Sequence, residues 1–104
     1  MVARGEVWWY EHPEHARRPF LVLTRDAAIP VLEQILGVPA TRNVRGIPTE
    51  VELDESHGMP TRCALALDNV SVIRKSLCTE RITQLDAGRM RAVCEALHIA
   101  TACE

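Results

Sequence analysis

The sequence predicts a small, mostly antiparallel β-barrel followed by a C-terminal helix. Three observations carry that expectation. Apolar runs of strand length recur as far as residue 82, separated by Gly, Pro, Asp and Asn. No clear helical period is sustained before Asp86, and a single amphipathic stretch with that period follows it. The chain has 104 residues, 47% hydrophobic and 25% charged, which fits one globular domain over 1–104 with one modest core.

Taken in order, Arg4-Gly5-Glu6-Val7-Trp8-Trp9-Tyr10 is rich in strand formers and is the first expected strand. Alternation puts Val7 and Trp9 on one face, Trp8 and Tyr10 on the other. One tryptophan is then core, and the other is at an interface or available for stacking on a base. Glu11 to Arg17 is polar, carries Pro13 and reads as a loop. Phe20 to Thr24 is the second strand, its continuous apolar run fitting burial on both faces. Arg25 to Ala28 reads as a turn or a single helical turn. A third strand is expected within Leu32 to Pro39, where Pro30 and Pro39 stand too close together for a long helix.

Thr41 to Gly46 is a polar connector leading to a strand at Thr49 to Leu53, whose alternating polarity implies one wet face. Asp54 to Pro60 is turn-rich. Strands at Arg62 to Leu67 and Val70 to Ile73 flank a tight turn at Asp68-Asn69, and Leu77 to Ile82 makes a last short one. Asp86 is a suitable N-cap for a helix of about 15 residues. Met90, Val93, Cys94, Leu97 and Thr101 form its expected packing face.

Composition narrows the function classes. No apolar run approaches the roughly 20 residues of a membrane span, and the first residues lack the layout of a signal peptide. A cytoplasmic protein without membrane contact is expected. Cys63, Cys78, Cys94 and Cys103 form no Cys-x-x-Cys pair and have no histidine at ligand spacing. They read as small buried hydrophobes, with no metal and no other cofactor. A net charge of −2 argues against a generally basic nucleic-acid binder. The distribution is more telling: Thr41 to Thr49 holds two arginines and no acid, and Arg17, Arg18 and Arg25 flank the second apolar run.

Arg18-Pro19 stands out at the head of that run. Proline fixes its own φ and biases the preceding residue towards an extended backbone, so the Arg18 guanidinium has a preset exit direction. By itself the pair reads more readily as a solvated charge before a strand than as a site.

Three stretches together resemble a known family. They are Arg4-Gly5-Glu6-Val7-Trp8, Arg18-Pro19-Phe20-Leu21-Val22-Leu23, and Val38-Pro39-Ala40-Thr41 leading to Gly46-Ile47-Pro48-Thr49-Glu50-Val51. In this order they look like the MazF/PemK toxins, the endoribonuclease halves of bacterial toxin–antitoxin pairs. Leu67-Asp68-Asn69-Val70 is similar to a later strand motif of that family, with Asn69 where Gln is usual. Arg17 also replaces the family's usual Gly before the Arg-Pro pair, in a shortened loop. That departure bears on target sequence and loop gating rather than on chemistry.

The resemblance implies an SH3-like or CcdB-like antiparallel barrel with a C-terminal helix. It implies metal-independent, sequence-specific cleavage of single-stranded RNA, whether messenger, ribosomal or transfer, to a 2′,3′-cyclic phosphate and a 5′-hydroxyl. It also implies a homodimer and a cognate antitoxin. Carried over by position, it makes Arg18 and Thr41 the catalytic pair. A guanidinium fork matches two phosphate oxygens, and a threonine hydroxyl adds a donor to developing charge. His12, Arg17, Arg42, Asn43 and Arg45 are assigned to the RNA path, the arginines for phosphates and Asn43 for a base edge. Arginine does not deprotonate in proteins, so a base for the 2′-hydroxyl is missing from the pair. His12 and His15, in the loop before Arg18, are the candidates, since histidine's ordinary pKa of about 6.5 suits proton transfer near neutrality.

Two rivals share the fold. A CcdB-type gyrase poison ends its helix in Trp-Gly-Ile, whereas this sequence has Thr101-Ala102-Cys103-Glu104. A non-catalytic relative would bind RNA or protein without cutting.

Overall fold

Gln34–Thr41 is the strand that organises the molecule, because its eight residues pair with three different neighbours. The computed structural model describes residues 1–103. Strands in chain order are β1 Glu6–Tyr10, β2 Arg18–Val22, β3 Gln34–Thr41, β4 Glu50–Leu53, β5 Cys63–Ala66, β6 Ser71–Arg74 and β7 Cys78–Gln84. Helix α1, Ala87–Thr101, follows. All pairings are antiparallel, in the order β4-β5-β3-β2-β1-β7, with β6 also on β3.

The mostly antiparallel sheet with a terminal helix is as expected. No strand pairing joins β4 to β7 among the described residues, so the barrel has a seam. The loop after β4 covers part of it: the Thr83 hydroxyl of β7 donates to the His57 carbonyl at 2.9 Å. Gly58 sits there at φ +90°, and a Cβ on it would overlap the Thr83 hydroxyl. Only glycine adopts that backbone freely and also lets the loop lie this close.

Two cores follow from strand alternation. Val7, Leu21, Leu23, Val38 and Leu65 face one cluster, which α1 closes with Val93 and Ala96. Phe20, Val22, Ile35 and Ile73 face the other, with Trp8 and Tyr10 packed against it. Residues 20–23 are thus buried on both faces, as their unbroken apolar run implies.

Several boundaries shift. β2 starts at Arg18 rather than Phe20, because Arg18 and Pro19 pair with Tyr10 and Trp9 across the hairpin. Residues 32 and 33 precede β3, which runs on through Thr41, so Thr41 ends a strand instead of opening a connector. Asp86 caps α1 as expected, accepting the Arg89 N–H at 2.7 Å. Met90, Val93 and Leu97 of its expected face pack on the main core together with Ala96, whereas Cys94 and Thr101 are exposed, a rotation that hydropathy does not reveal. The cysteine reading is corrected in the same way. Cys63 is buried and Cys78 half-buried, but Cys94 and Cys103 are exposed, and all four are free thiols. Burial pushes the Cys78 thiol up to about 11. Among the described residues no helix is long and apolar enough to cross a membrane.

Glu6 is a buried carboxylate at the β1–β7 join. It accepts the Ala3 N–H at 2.8 Å and the Trp8 indole N–H at 3.0 Å on one oxygen, and the Arg81 guanidinium at 2.9 Å on the other. Burial alone would raise its pKa. The hydrogen bonds from Trp8, Ala3 and Arg81, with the charge of Arg81, outweigh burial and hold it below the ordinary 4.5. A pKa lowered by folding contributes stability that is complete above 4.5 and is lost as pH falls through the lowered folded value. Glu6→Ala should cost about 1–3 kcal/mol, the cost of unsatisfied buried donors, and should flatten the acid limb of stability against pH. Denaturant melts of both proteins at pH 7 and pH 3.5 check this.

Candidate active site

The β1–β2 hairpin and the end of β3 bring the site together. The β2–β3 ladder pairs Phe20 with Pro39, Leu21 with Val38 and Val22 with Gly37. Arg18 and Thr41 each lie two residues beyond its last pair, Phe20–Pro39, at the same end of the ladder. Two residues that the sequence separates by 23 positions therefore share one end and one face of the sheet. Arg18 also sits directly across from Tyr10, whose ring meets Phe20 edge-on at 5.0 Å. The rigid sheet behind Arg18 supplies the support that its proline neighbour promised.

Arg18 is exposed and forms a ridge between two concavities. One, of about 620 Å³, is bounded by Tyr10, His12, His15, Arg17 and Ser71. The other, of about 420 Å³, is bounded by Trp9, Arg17, Arg42, Met59, Thr61 and Cys63. Thr41 lines neither of them and is half-buried at the strand end. Its Oγ1 accepts the Asn43 N–H at 3.1 Å, which leaves the hydroxyl proton available to a ligand oxygen.

Electrostatics set this end of the molecule apart. The ion pairs among the described residues are Arg62–Glu52, Arg81–Glu6 and His57–Asp54. Arg17, Arg18, Arg42 and Arg45 thus have no carboxylate partner, and their charges are open to an anion. Glu50 lies closer to the connector than the sequence suggested: its Oε1 accepts the backbone N–H of Arg45 at 2.9 Å and of Gly46 at 3.1 Å. The carboxylate shapes the connector through the backbone and leaves the arginine side chains free. Asn43 and Arg45 are exposed but lie outside both concavities.

The two loop histidines lie together, ring centroids 5.0 Å apart, on the far side of Arg18 from Arg42. His12 Nδ1 accepts the Glu14 N–H at 3.1 Å. Its neutral ring therefore carries its proton on Nε2 and presents a donor, not a base. His15 has no side-chain hydrogen bond among the described residues, so its lone pair is free.

Sequence reasoning missed Trp9, Tyr10, Thr61 and Ser71 as walls of the two concavities. The first two alternate across β1 on opposite faces, and the hairpin register delivers each beside Arg18. Arg17 lies over the Trp9 ring at 4.1 Å. Only the doublet of tryptophans hinted at this.

Comparison with known proteins agrees with the fold and with the motifs. Residues 3–101 match the sequence model of the PemK-like, MazF-like toxins of type II toxin–antitoxin systems. A curated relative, the probable endoribonuclease MazF5 of Mycobacterium tuberculosis, is 46% identical over 102 residues, covering 97% of this chain and 94% of the relative. Among solved structures, the M. tuberculosis toxin MazF-mt6 superposes with a TM-score of 0.87 at 28% identity, over 95% of this chain and 98% of that one. A mycobacterial endoribonuclease in complex with its cognate antitoxin gives a TM-score of 0.90 over 100% of this chain and 98% of that one, and at 20% identity it speaks for the fold alone. With one family model spanning nearly its whole length, this chain belongs to the PemK-like, MazF-like toxins of type II toxin–antitoxin systems.

Proposed function

We propose that this toxin is a metal-independent endoribonuclease that cuts single-stranded RNA at a short sequence. It leaves a 2′,3′-cyclic phosphate and a 5′-hydroxyl. The observation that carries the reading is that Arg18, without a carboxylate partner among the described residues, lies with Thr41 at the end of the β2–β3 ladder, beside two concavities that no acidic side chain lines. The 2′-hydroxyl attacks its own phosphorus, and charge builds on the non-bridging oxygens. Arg18 meets two of them with its fork, and the Thr41 hydroxyl donates to one.

The remaining roles fall to the histidines. His15, with its free lone pair, takes the 2′-hydroxyl proton. The neutral His12, with its proton on Nε2, donates a hydrogen bond to the departing 5′-oxygen, which takes its proton from solvent. Arg42 and Arg45 contact flanking phosphates, and Asn43 a base edge. An acidic antitoxin segment would inhibit by lying over these arginines, the most positive surface of a chain that is net acidic. Leu36 and Val72, cross-strand partners on β3 and β6, are 44% and 61% exposed beside Leu32 and Val31, and this apolar patch supports a homodimer. The toxin acts in the cytoplasm, where its RNA is.

Arg18→Ala should abolish cleavage of a long RNA in EDTA, a loss of at least about 100-fold, while the fold survives. Arg18→Lys should fail too, since the charge remains but the fork is gone. Turnover within a few-fold of wild type in either variant contradicts the role. Wild-type cleavage that needs a metal contradicts the mechanism, and a protein that poisons gyrase without cutting RNA supports the CcdB-type rival.

His15→Ala should slow cleavage by about 10²–10⁴-fold and remove the acid limb of the pH–rate profile. An unchanged profile assigns the base elsewhere. Arg42→Ala and Arg45→Ala should weaken binding across RNA sequences and reduce the slope of affinity against salt by about one phosphate each. A slope unaltered in both variants moves the RNA path off the connector.

A further inference from the structure

The concavity on the Arg42 side of Arg18 has no part in the cleavage chemistry above. Its construction is unusual for a surface hollow. Ala40, Met59 and Cys63 make its floor and are all nearly inaccessible, at 5%, 3% and 4% exposure. Burial raises the Cys63 pKa, with a smaller contribution from Asp54, which keeps that floor uncharged. Buried residues of the main core thus line the bottom of this hollow.

Trp9 forms one wall, with Arg17 stacked over its ring at 4.1 Å. The Trp9 indole N–H has no protein acceptor among the described residues, unlike that of Trp8, which bonds Glu6. At the mouth stand Arg18 and Arg42, neither paired with a carboxylate, and Thr61, whose hydroxyl makes only a 3.5 Å contact with the Arg62 carbonyl. An apolar floor, an aromatic face, a guanidinium plane and free donors at the rim suit a flat, aromatic ligand with polar edges. A phosphate finds its donors at the rim and would give up hydration against the apolar floor, whereas the face of a base gives up little there.

We propose that the hollow between Trp9, Arg17 and Arg42 is a nucleobase pocket that takes the base next to the phosphate held at Arg18. The proposal rests on the nuclease reading and adds where one recognised base is held. The base slides between the indole and the guanidinium, or displaces the guanidinium and stacks on Trp9 directly. Its backbone phosphates then pass Arg18 and Arg42. The larger stacking face of a purine makes it the preferred occupant.

The test uses an uncleavable 2′-O-methyl copy of the sequence that the wild-type toxin cuts, with each nucleotide in turn made abasic, and fluorescence anisotropy as readout. One abasic position beside the scissile phosphate should weaken wild-type binding by about 5- to 150-fold, the range of a single base–aromatic stack. Trp9→Val should weaken binding of the intact oligonucleotide by a similar factor and make that abasic position silent, with the salt slope unchanged. Trp9→Phe should restore most of the affinity.

If Trp9→Val does not fold, Trp8→Phe leaves Trp9 as the sole indole. Binding should then quench its fluorescence, and the same abasic position should abolish the quenching. Additive losses from Trp9→Val and the abasic site, or quenching indifferent to it, overturn the pocket alone. A wild-type protein that cuts no RNA overturns the nuclease reading, and the pocket with it.

Discussion

The constraint on which the rest of this structure depends is the triple pairing of β3. Residues 34–37 bond to β6, 37–39 to β2, and 40–41 to β5. β3 passes from its pairing with β2 and β6 to its pairing with β5 between Pro39 and Ala40. Gly37 is the residue bonded on both edges, pairing with both Val22 and Ser71. A Cβ there would lie 2.7 Å from Ile73 Cδ1 and 3.0 Å from Phe20 Cδ2. Both contacts are side chains of the second core, and both are buried, so neither can yield cheaply. Because β3 cannot slip without exposing one core or the other, its end is fixed, and Thr41 is fixed with it.

That rigidity lets a chain with little net charge gather unpaired arginines at one end of the sheet. The acids are occupied elsewhere: Glu6 with Arg81, Glu52 with Arg62, and Glu50 with two connector amides. Four arginines at one end of the sheet are left without a partner. The hairpin then divides their surroundings by strand alternation. Tyr10 and the loop histidines fall on one side of Arg18, Trp9 and the hollow lined by main-core residues on the other. On the roles proposed above, proton transfer and base recognition would occupy separate hollows around one shared guanidinium. Arg17, which borders both, couples the loop to each.

Much of this was legible in the sequence, for physical reasons that differ by element. The buried second strand, the Asp86 cap and the alternating β4 segment are local signals, written in hydropathy and capping chemistry. Arg18 was legible because proline restricts the residue before it. What stayed hidden was long-range. Thr41 looked like loop because nothing local shows that β5 will bond its strand end. Cys94 looked like core because hydropathy does not reveal which way a helix is rotated about its axis. Trp9 and Met59 meet at one hollow only through the sheet's register and the loop after β4. The direction of His12 depends on a hydrogen bond from Glu14, which no spacing rule supplies.

The central claim is that Arg18 and Thr41 act as one unit on one phosphate. A double-variant cycle on kcat/KM with Arg18→Ala and Thr41→Ala measures that directly. Residues acting together on the same developing charge are non-additive, so the double variant should be about as slow as Arg18→Ala alone. Losses that multiply, with the double variant slower by the product of the two single effects, would contradict the pairing. The strand register would then be a structural coincidence and not the basis of the chemistry.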